Sequence, residues 1–346
     1  EPRRLVRVTH DESEMVSALP HLTHFIVASA TSTHATWMER ALSASIPAIF
    51  VEKPASGVAS NIERWAAESA RRSLRVYVGF QRPLHPTVRE ALDVVTAMRR
   101  EGVLTRDHTV EFETRDAAPP SLEYLALSGG IVTDMSTHDW HEACTALGLG
   151  KEDWTDASES AILGHPGELL VGTTTTGEHV RDHLSAEVIA EPPRATLPRV
   201  CVKLSRKSPN GNYHAIRLHG PGGDVLRSWE VRSTSPSDTF VEQWADAYRG
   251  VMAAFTSIPV ARANGISGLA SGIPRSTEEQ TSSEVPSSVA MQPPQRGGGS
   301  HGTSRDASGH RLGHDSGGLA ALDEILLPMH LAACGQQALE PRNSSL

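Results

Sequence analysis

The sequence predicts an α/β protein in which a doubly wound parallel sheet is followed by an α+β domain with a largely antiparallel open sheet. Three observations predict it. Up to about Gly79, short apolar runs alternate with helical patterns. Beyond Gln81, β-branched segments punctuated by turns take over. The 346 residues also exceed what one hydrophobic core fills efficiently, so two domains are expected.

In the first part, Leu5 to Val8, His24 to Ser29, Ala48 to Glu52 and Arg75 to Gly79 read as buried strands. Three helices lie between them. The first opens with Asp11 and Glu14 in capping-box spacing, the second spans about His34 to Ala44, and the third about Ile62 to Arg72. Strands alternating with helices of this length form a parallel sheet covered on its faces, of Rossmann type. A long helix then opens at Pro86 and closes at Gly102, and a strand covers about Thr109 to Thr114. Segments near 167–175, 183–190, 198–206, 213–219 and 224–231 read as the second sheet, with helices at 134–147 and 239–255. The expected domains are 1–82 and 83–263 with 319–340. Residues 264–318 are rich in Ser, Gly, Pro, Thr and Gln, and read as a disordered insertion because they cannot bury enough surface to offset ordering. Leu319 to Leu339 reads as a returning apolar helix.

A net charge of −9 gives no field for a phosphate backbone, which argues against a nucleic-acid partner. No apolar run approaches the roughly 18 residues of a membrane span. The expectation is a soluble, cytoplasmic protein. The C-terminal Ser344-Ser345-Leu346 resembles a peroxisomal address but lacks its central base, which leaves a peroxisome-like organelle as the alternative. The three cysteines, Cys144, Cys201 and Cys334, are scattered and suit neither a disulfide framework nor a zinc site. His301, His310 and His314 lie irregularly in a glycine-rich setting, so no metal is expected there. Gly297, Gly299 and Gly302 spell Gly-x-Gly-x-x-Gly with no strand before them, and the match is read as accidental.

In an open parallel sheet, ligands bind beyond the carboxyl ends of the strands. Two loops fall there: Ala30-Thr31-Ser32-Thr33-His34, and Lys53-Pro54 after Glu52. Asp134 and His138 are four apart in a helical pattern and share one face, a pairing suited to acid/base work near neutral pH. Taken singly, these residues also have plainer readings. Lys53 reads as a solvated lysine at a strand end, Asp134 as a helix cap and His138 as an interior histidine.

Four segments in order change the weighing: Ala28-Ser-Ala-Thr-Ser-Thr-His34, Val51-Glu-Lys-Pro54, Val78-Gly-Phe-Gln-Arg82 and Gly129-Gly-Ile-Val-Thr-Asp-Met-Ser-Thr-His-Asp139. Together they resemble the successive signatures of the Gfo/Idh/MocA family of nicotinamide-dependent sugar and polyol dehydrogenases. Thr114 to Tyr124, Ser128-Gly-Gly and Phe240 to Tyr248 look most like its inositol 2-dehydrogenase branch. The resemblance covers about residues 3–260 and the final helix.

That resemblance implies NAD or NADP as cofactor and a small-molecule polyol or sugar as substrate. His138 is implied as the base that takes the hydroxyl proton, Asp134 as the group that orients its imidazole, and Lys53 as the donor to the reacting oxygen. Ala30, Thr31, Ser32, His34, Glu52, Lys53 and Arg82 would face the cofactor, and Arg82, Asp139 and His141 the substrate. A homodimer or homotetramer through the open sheet is implied as well. Several positions depart from the branch pattern. His141 stands where an aspartate is usual, Asn210-Gly-Asn-Tyr213 replaces a Tyr-Gly-Tyr-Asp element, and Pro83 replaces a commonly basic residue. The family's glycine-rich turn has no counterpart ahead of Arg3, so the layout implies that the first two βα units are missing. The alternatives are a degenerate, non-enzymatic relative that binds a ligand or partner, and a dihydrodiol or sugar dehydrogenase of the same family.

Without a glycine-rich turn to cradle the pyrophosphate, this polypeptide is expected to bind NAD weakly. A thermal-shift titration should show little stabilisation, and a micromolar Kd would refute the expectation.

Overall fold

A computed structural model describes residues 11–117, 120–150, 162–191, 194, 196–209, 211–232, 240–259, 319–322 and 324–339. The strand expected at Leu5 to Val8, the insertion at 264–318 and the C-terminal tripeptide lie outside these residues. The described elements belong to one unit of the chain, 1–260 with 313–346.

The first sheet is parallel at its core. Strands β1 (His24–Val27), β2 (Ala48–Val51) and β3 (Arg75–Gly79) align side by side in that order. All four residues of β2 are buried, as the central strand of a sheet covered on both faces must be. Ile49 and Val51 pack with Met38 of α2 (Thr31–Ser43) and with Ile62 and Trp65 of α3 (Ala59–Arg72). Ala48 and Phe50 point the other way, onto Val251 and Phe255 of α8 (Phe240–Thr256). The alternation of a strand thus decides which helix covers which face. Gly79 is required by this packing, since a Cβ there would lie 2.4 Å from the Phe50 ring. Upstream, Asp11 caps α1 (Glu12–Ala18) by accepting from the amides of Ser13 and Glu14.

The second sheet has six strands. β4 (Thr109–Asp116) runs parallel to β9 (Arg199–Arg206) and antiparallel to β10 (Tyr213–His219). β11 (Val225–Arg232) flanks β10, and β8 (Ser185–Ala190) and β5 (Ile162–Pro166) extend the β9 side. Val110 and Phe112 face a core built with α4 (Pro86–Arg100), α6 (Ile131–Met135), α7 (Thr137–Leu147) and α9 (Leu326–Leu339). Glu111 and Glu113 face the other side, in ion pairs with Lys203 and Arg217 at 2.6–2.7 Å.

Three local features differ from the sequence expectation. The helix expected at 134–147 is two pieces that meet at Ser136, because the hydroxyls of Ser136 and Thr137 bond back to the carbonyls of Val132 and Thr133 and bend the chain. The strand expected at 183–190 turns a corner at Leu184. Residues before it form β7 (His179–His183), which pairs with β6 (Leu169–Thr173) as a separate ribbon, and residues after it form β8. The apolar stretch from Leu319 is not wholly helical. Leu319–Ala321 forms β12, antiparallel to β3, before α9 starts.

Gly130, at φ +96°, begins α6, and a Cβ there would lie 2.4 Å from the Gln336 amide that receives the Val132 N–H. Gly130→Ala should cost roughly 1–3 kcal/mol, read from the urea midpoint. Gly57→Ala, with nothing within 4 Å of the new Cβ, serves as the control and should shift stability by less than ~0.5 kcal/mol.

Candidate active site

Lys53 lies two residues past the end of β2, and its ammonium donates to the main-chain oxygen of Asp134 at 3.1 Å. This single bond joins the carboxyl end of the parallel sheet to α6. Glu52 accompanies it, and burial pushes the Glu52 carboxyl above the usual range.

Asp134 is buried within α6 and does not cap a helix. Its Oδ1 accepts from the Tyr124 hydroxyl at 2.8 Å and its Oδ2 from Arg206 Nη2 at 2.8 Å. Arg206 Nη1 donates to Asp182 Oδ2 at 2.7 Å, and Asp182 Oδ1 accepts the Ile131 N–H that opens α6. The carboxylate of Asp134 is therefore held by Tyr124 and Arg206, whereas the sequence suggested that it orients His138.

His138 sits one turn further on, is only 1% exposed, and has no hydrogen-bond partner on either ring nitrogen among the described residues. Its ring meets Phe80 in a T-shaped contact, with centroids 5.4 Å apart and planes at 87°. Burial, then the cations Arg82 and Lys53, hold its pKa well below the ordinary 6.5, so the ring is neutral at physiological pH. A neutral imidazole keeps a free lone pair. Leaving a buried polar ring unpaired costs about 1–3 kcal/mol, which marks the position as one that a ligand group would complete.

His141 stacks flat on the other side of this arrangement, 4.0 Å from Phe80 with planes at 4°. Arg82 and Asp139 form a buried ion pair at 2.9 Å, and Arg82 Nη1 also donates to Thr114 Oγ1 at 3.0 Å. Both are as buried as His138, and Arg82 Nε and Asp139 Oδ2, like the His138 ring nitrogens, have no hydrogen-bond partner among the described residues. Burial raises the Asp139 carboxyl against the pull of Arg82. Asp139, Glu142 and His214 bring ligand-type atoms within 4.8 Å of one another. The cationic position among them is already taken by Arg82, whose Nη1 lies 3.3 Å from His214 Nδ1, while His214 Nε2 faces Glu142 Oε2 at 3.1 Å. The cluster works as a charge network, and a metal ion would have to displace a guanidinium to enter it.

Residues 30–34, read as a loop, form the N-terminus of α2 and its first turn. Ala30 and Ser32 are exposed and Thr31 is half-buried. His34 is different. Its buried ring lies 2.9 Å from the Ser29 carbonyl and 3.0 Å from the Pro54 carbonyl, so it braces the two ligand-side loops against each other and does not face a ligand. Open clefts along α4, lined by Leu84, Arg89 and Glu90, and between α2 and α3, lined by Glu39 and Arg64, touch neither Lys53 nor His138. They carry none of the residues suited to this chemistry.

Sequence reasoning missed Arg206, Asp182 and His214 as parts of the site. No local motif marks them, and only the fold brings Arg206 of β9 and Asp182 of β7 to α6, and His214 of β10, beside β4, to Asp139.

No family model matches the chain. It is 29% identical over 134 residues to the myo-inositol 2-dehydrogenase of Thermotoga maritima, a match that spans 39% of each chain. It is 26% identical over 257 residues to the inositol 2-dehydrogenase of Rhizobium meliloti, across 70% of this chain and 72% of that one. The match to the Thermotoga enzyme thus covers well under two thirds of its length. Among solved structures, the fold aligns with a probable dehydrogenase from Thermotoga maritima at a TM-score of 0.54 and 21% identity, over 71% of this chain and 72% of that one. It also aligns with scyllo-inositol dehydrogenase from Lactobacillus casei, with bound NAD(H) and scyllo-inositol, at a TM-score of 0.51 and 17% identity, over 70% and 72% of the two chains. The two-domain arrangement of a small mixed sheet and a six-stranded, mostly antiparallel sheet is shared with these structures. In sequence and in fold, the chain is a distant relative of the inositol dehydrogenases of the Gfo/Idh/MocA type.

Proposed function

We propose that the protein is an NAD(P)-dependent oxidoreductase acting on a secondary hydroxyl of a cyclic polyol or sugar. The observation that carries this reading is His138, a neutral, buried imidazole with both ring nitrogens unpartnered, on the helix that follows the one tied to Lys53. The inositol dehydrogenases among its relatives make a polyol the first substrate class to consider.

The residues present fit a nicotinamide cofactor on two counts. The uncapped N-terminus of α2 at Ala30 offers free N–H groups beyond the carboxyl ends of the parallel strands, and Lys53 lies at the next strand end. Ala30, Thr31, Ser32 and Glu52 would line the cofactor side. When bound, the nicotinamide supplies the acceptor for the hydride.

The chain's own residues handle the proton. A ring nitrogen of His138 takes it from the substrate hydroxyl as the carbon beneath gives up its hydride, and the carbonyl product leaves His138 as imidazolium. Lys53 Nζ donates to the reacting oxygen and restrains the charge that develops there. The Asp134 carbonyl fixes where that ammonium stands. The Phe80–His141 stack shields the base from water.

Turnover should be sought at millimolar NAD and NADP against myo-inositol, scyllo-inositol and a panel of sugars. His138→Ala and Lys53→Ala should each lower kcat at least about 100-fold with the fold intact by circular dichroism, and full activity in either would refute the assigned roles. A second measurement concerns pH. Unfolded histidine titrates near 6.5 and folded His138 below that, so between those values the unfolded chain binds a proton that the native protein refuses. The contribution is intact above about 6.5 and is lost progressively as pH falls below it. The Tm of the wild type should therefore drop more steeply than that of His138→Asn between about pH 6.5 and 5. Parallel curves would show that the ring is not held neutral.

A further inference from the structure

We infer that Arg206 is a positioning residue for hydride transfer, acting through Asp134 on the Lys53 ammonium. The inference rests on the reaction proposed above and adds a residue that no local motif marks.

The side chain of Arg206 is 2% exposed and reaches two buried carboxylates at once, Asp134 Oδ2 at 2.8 Å and Asp182 Oδ2 at 2.7 Å. A planar guanidinium can direct separate N–H groups to separate acceptors, which a lysine ammonium does less rigidly. Both carboxylates belong to the support of α6. Asp134 lies within it, and Asp182 receives the Ile131 N–H at its start at 3.1 Å.

Arg206 is itself fixed. It ends β9 opposite Asp116 of β4, and its own N–H donates to the Leu184 carbonyl at 2.7 Å. Immediately after it, the chain turns back at Lys207, φ +83°, with the amides of Lys207 and Ser208 both bonded to the Asp116 carbonyl. The guanidinium is thus anchored to the second sheet before it grips α6.

Asp134 is consequently restrained at both ends of the residue. Tyr124 and Arg206 hold its carboxylate, and its carbonyl receives Lys53. A shift of α6 would carry that carbonyl with it and move the ammonium away from the reacting oxygen. His138, in the helix that continues from α6 through Ser136, would move in the same displacement. A misplacement of about 1 Å in such an arrangement costs on the order of 100-fold in rate. Arg206 needs no contact with substrate or cofactor to have this effect.

The test uses the full chain and the polyol from the panel above that turns over, in ordinary form and deuterated at its carbinol carbons. Arg206→Met should lower kcat at least about 30-fold while the KM for the nucleotide changes less than about 2-fold. The primary deuterium isotope effect on kcat should rise, because a misaligned hydride step becomes rate-limiting. Arg206→Lys should recover part of the rate, and should read the same outcome if Arg206→Met fails to fold. Variants within about 3-fold of the wild type, or activity lost only in proportion to folded protein with an unchanged isotope effect, would overturn the assignment while leaving the proposed function standing. A wild type with no turnover on any polyol or sugar would overturn both.

Discussion

The hydrogen bond from the Lys53 ammonium to the Asp134 carbonyl is the contact on which the site depends, because it is the point where two separately built sheets agree on one geometry. Lys53 is placed by β2, the fully buried middle strand of the parallel sheet, whose position is set by packing on both faces. Asp134 is placed by α6, which is held by Arg206 of the second sheet and by Asp182 of the β6–β7 ribbon. A main-chain acceptor suits this junction. It stays fixed when side chains change rotamer, and it leaves the Asp134 carboxylate free to be gripped from the opposite side.

Charge in this region is concentrated and buried, and its arrangement is selective. Arg82 and Arg206 each answer buried carboxylates, Asp139 in one case and Asp134 with Asp182 in the other. The His138 ring nitrogens, like Arg82 Nε and Asp139 Oδ2, have no hydrogen-bond partner among the described residues. Burial of a cation beside His138 has a chemical result, since the same Arg82 that braces Asp139 also disfavours protonation of the imidazole. The support residues therefore help set the protonation state of the proposed base without touching it.

Much of this organisation was legible in the sequence, and the reasons differ by feature. The parallel strands could be read because each is a short apolar run between helical patterns, and α4 because Pro86 starts it. The bend at Ser136 could not, since Ser and Thr in a helical pattern look ordinary until their hydroxyls are seen to turn back on Val132 and Thr133. Lys53 and His138 stood out through flanking motifs. Arg206 and His214 did not, because their meaning comes from strand register, which pairs residues far apart in the chain. The expectation that Asp134 orients His138 assumed one continuous helix and overlooked both the break at Ser136 and a competing cation that arrives from β9.

Strand β12 has a consequence for how the protein reaches this state. Leu319 pairs with Gly79 at the edge of the first sheet, and most of the chain lies between them. Closing so long a loop is entropically slow, so this strand is expected to be among the last to add, after the local strand–helix–strand units have formed. During synthesis the free edge of β3 would wait, exposed, until the C-terminal segment leaves the ribosome. The fourth strand of the sheet thus depends on translation reaching residues 319–321, and a chain stopped before them would carry an unpaired edge open to association with other chains.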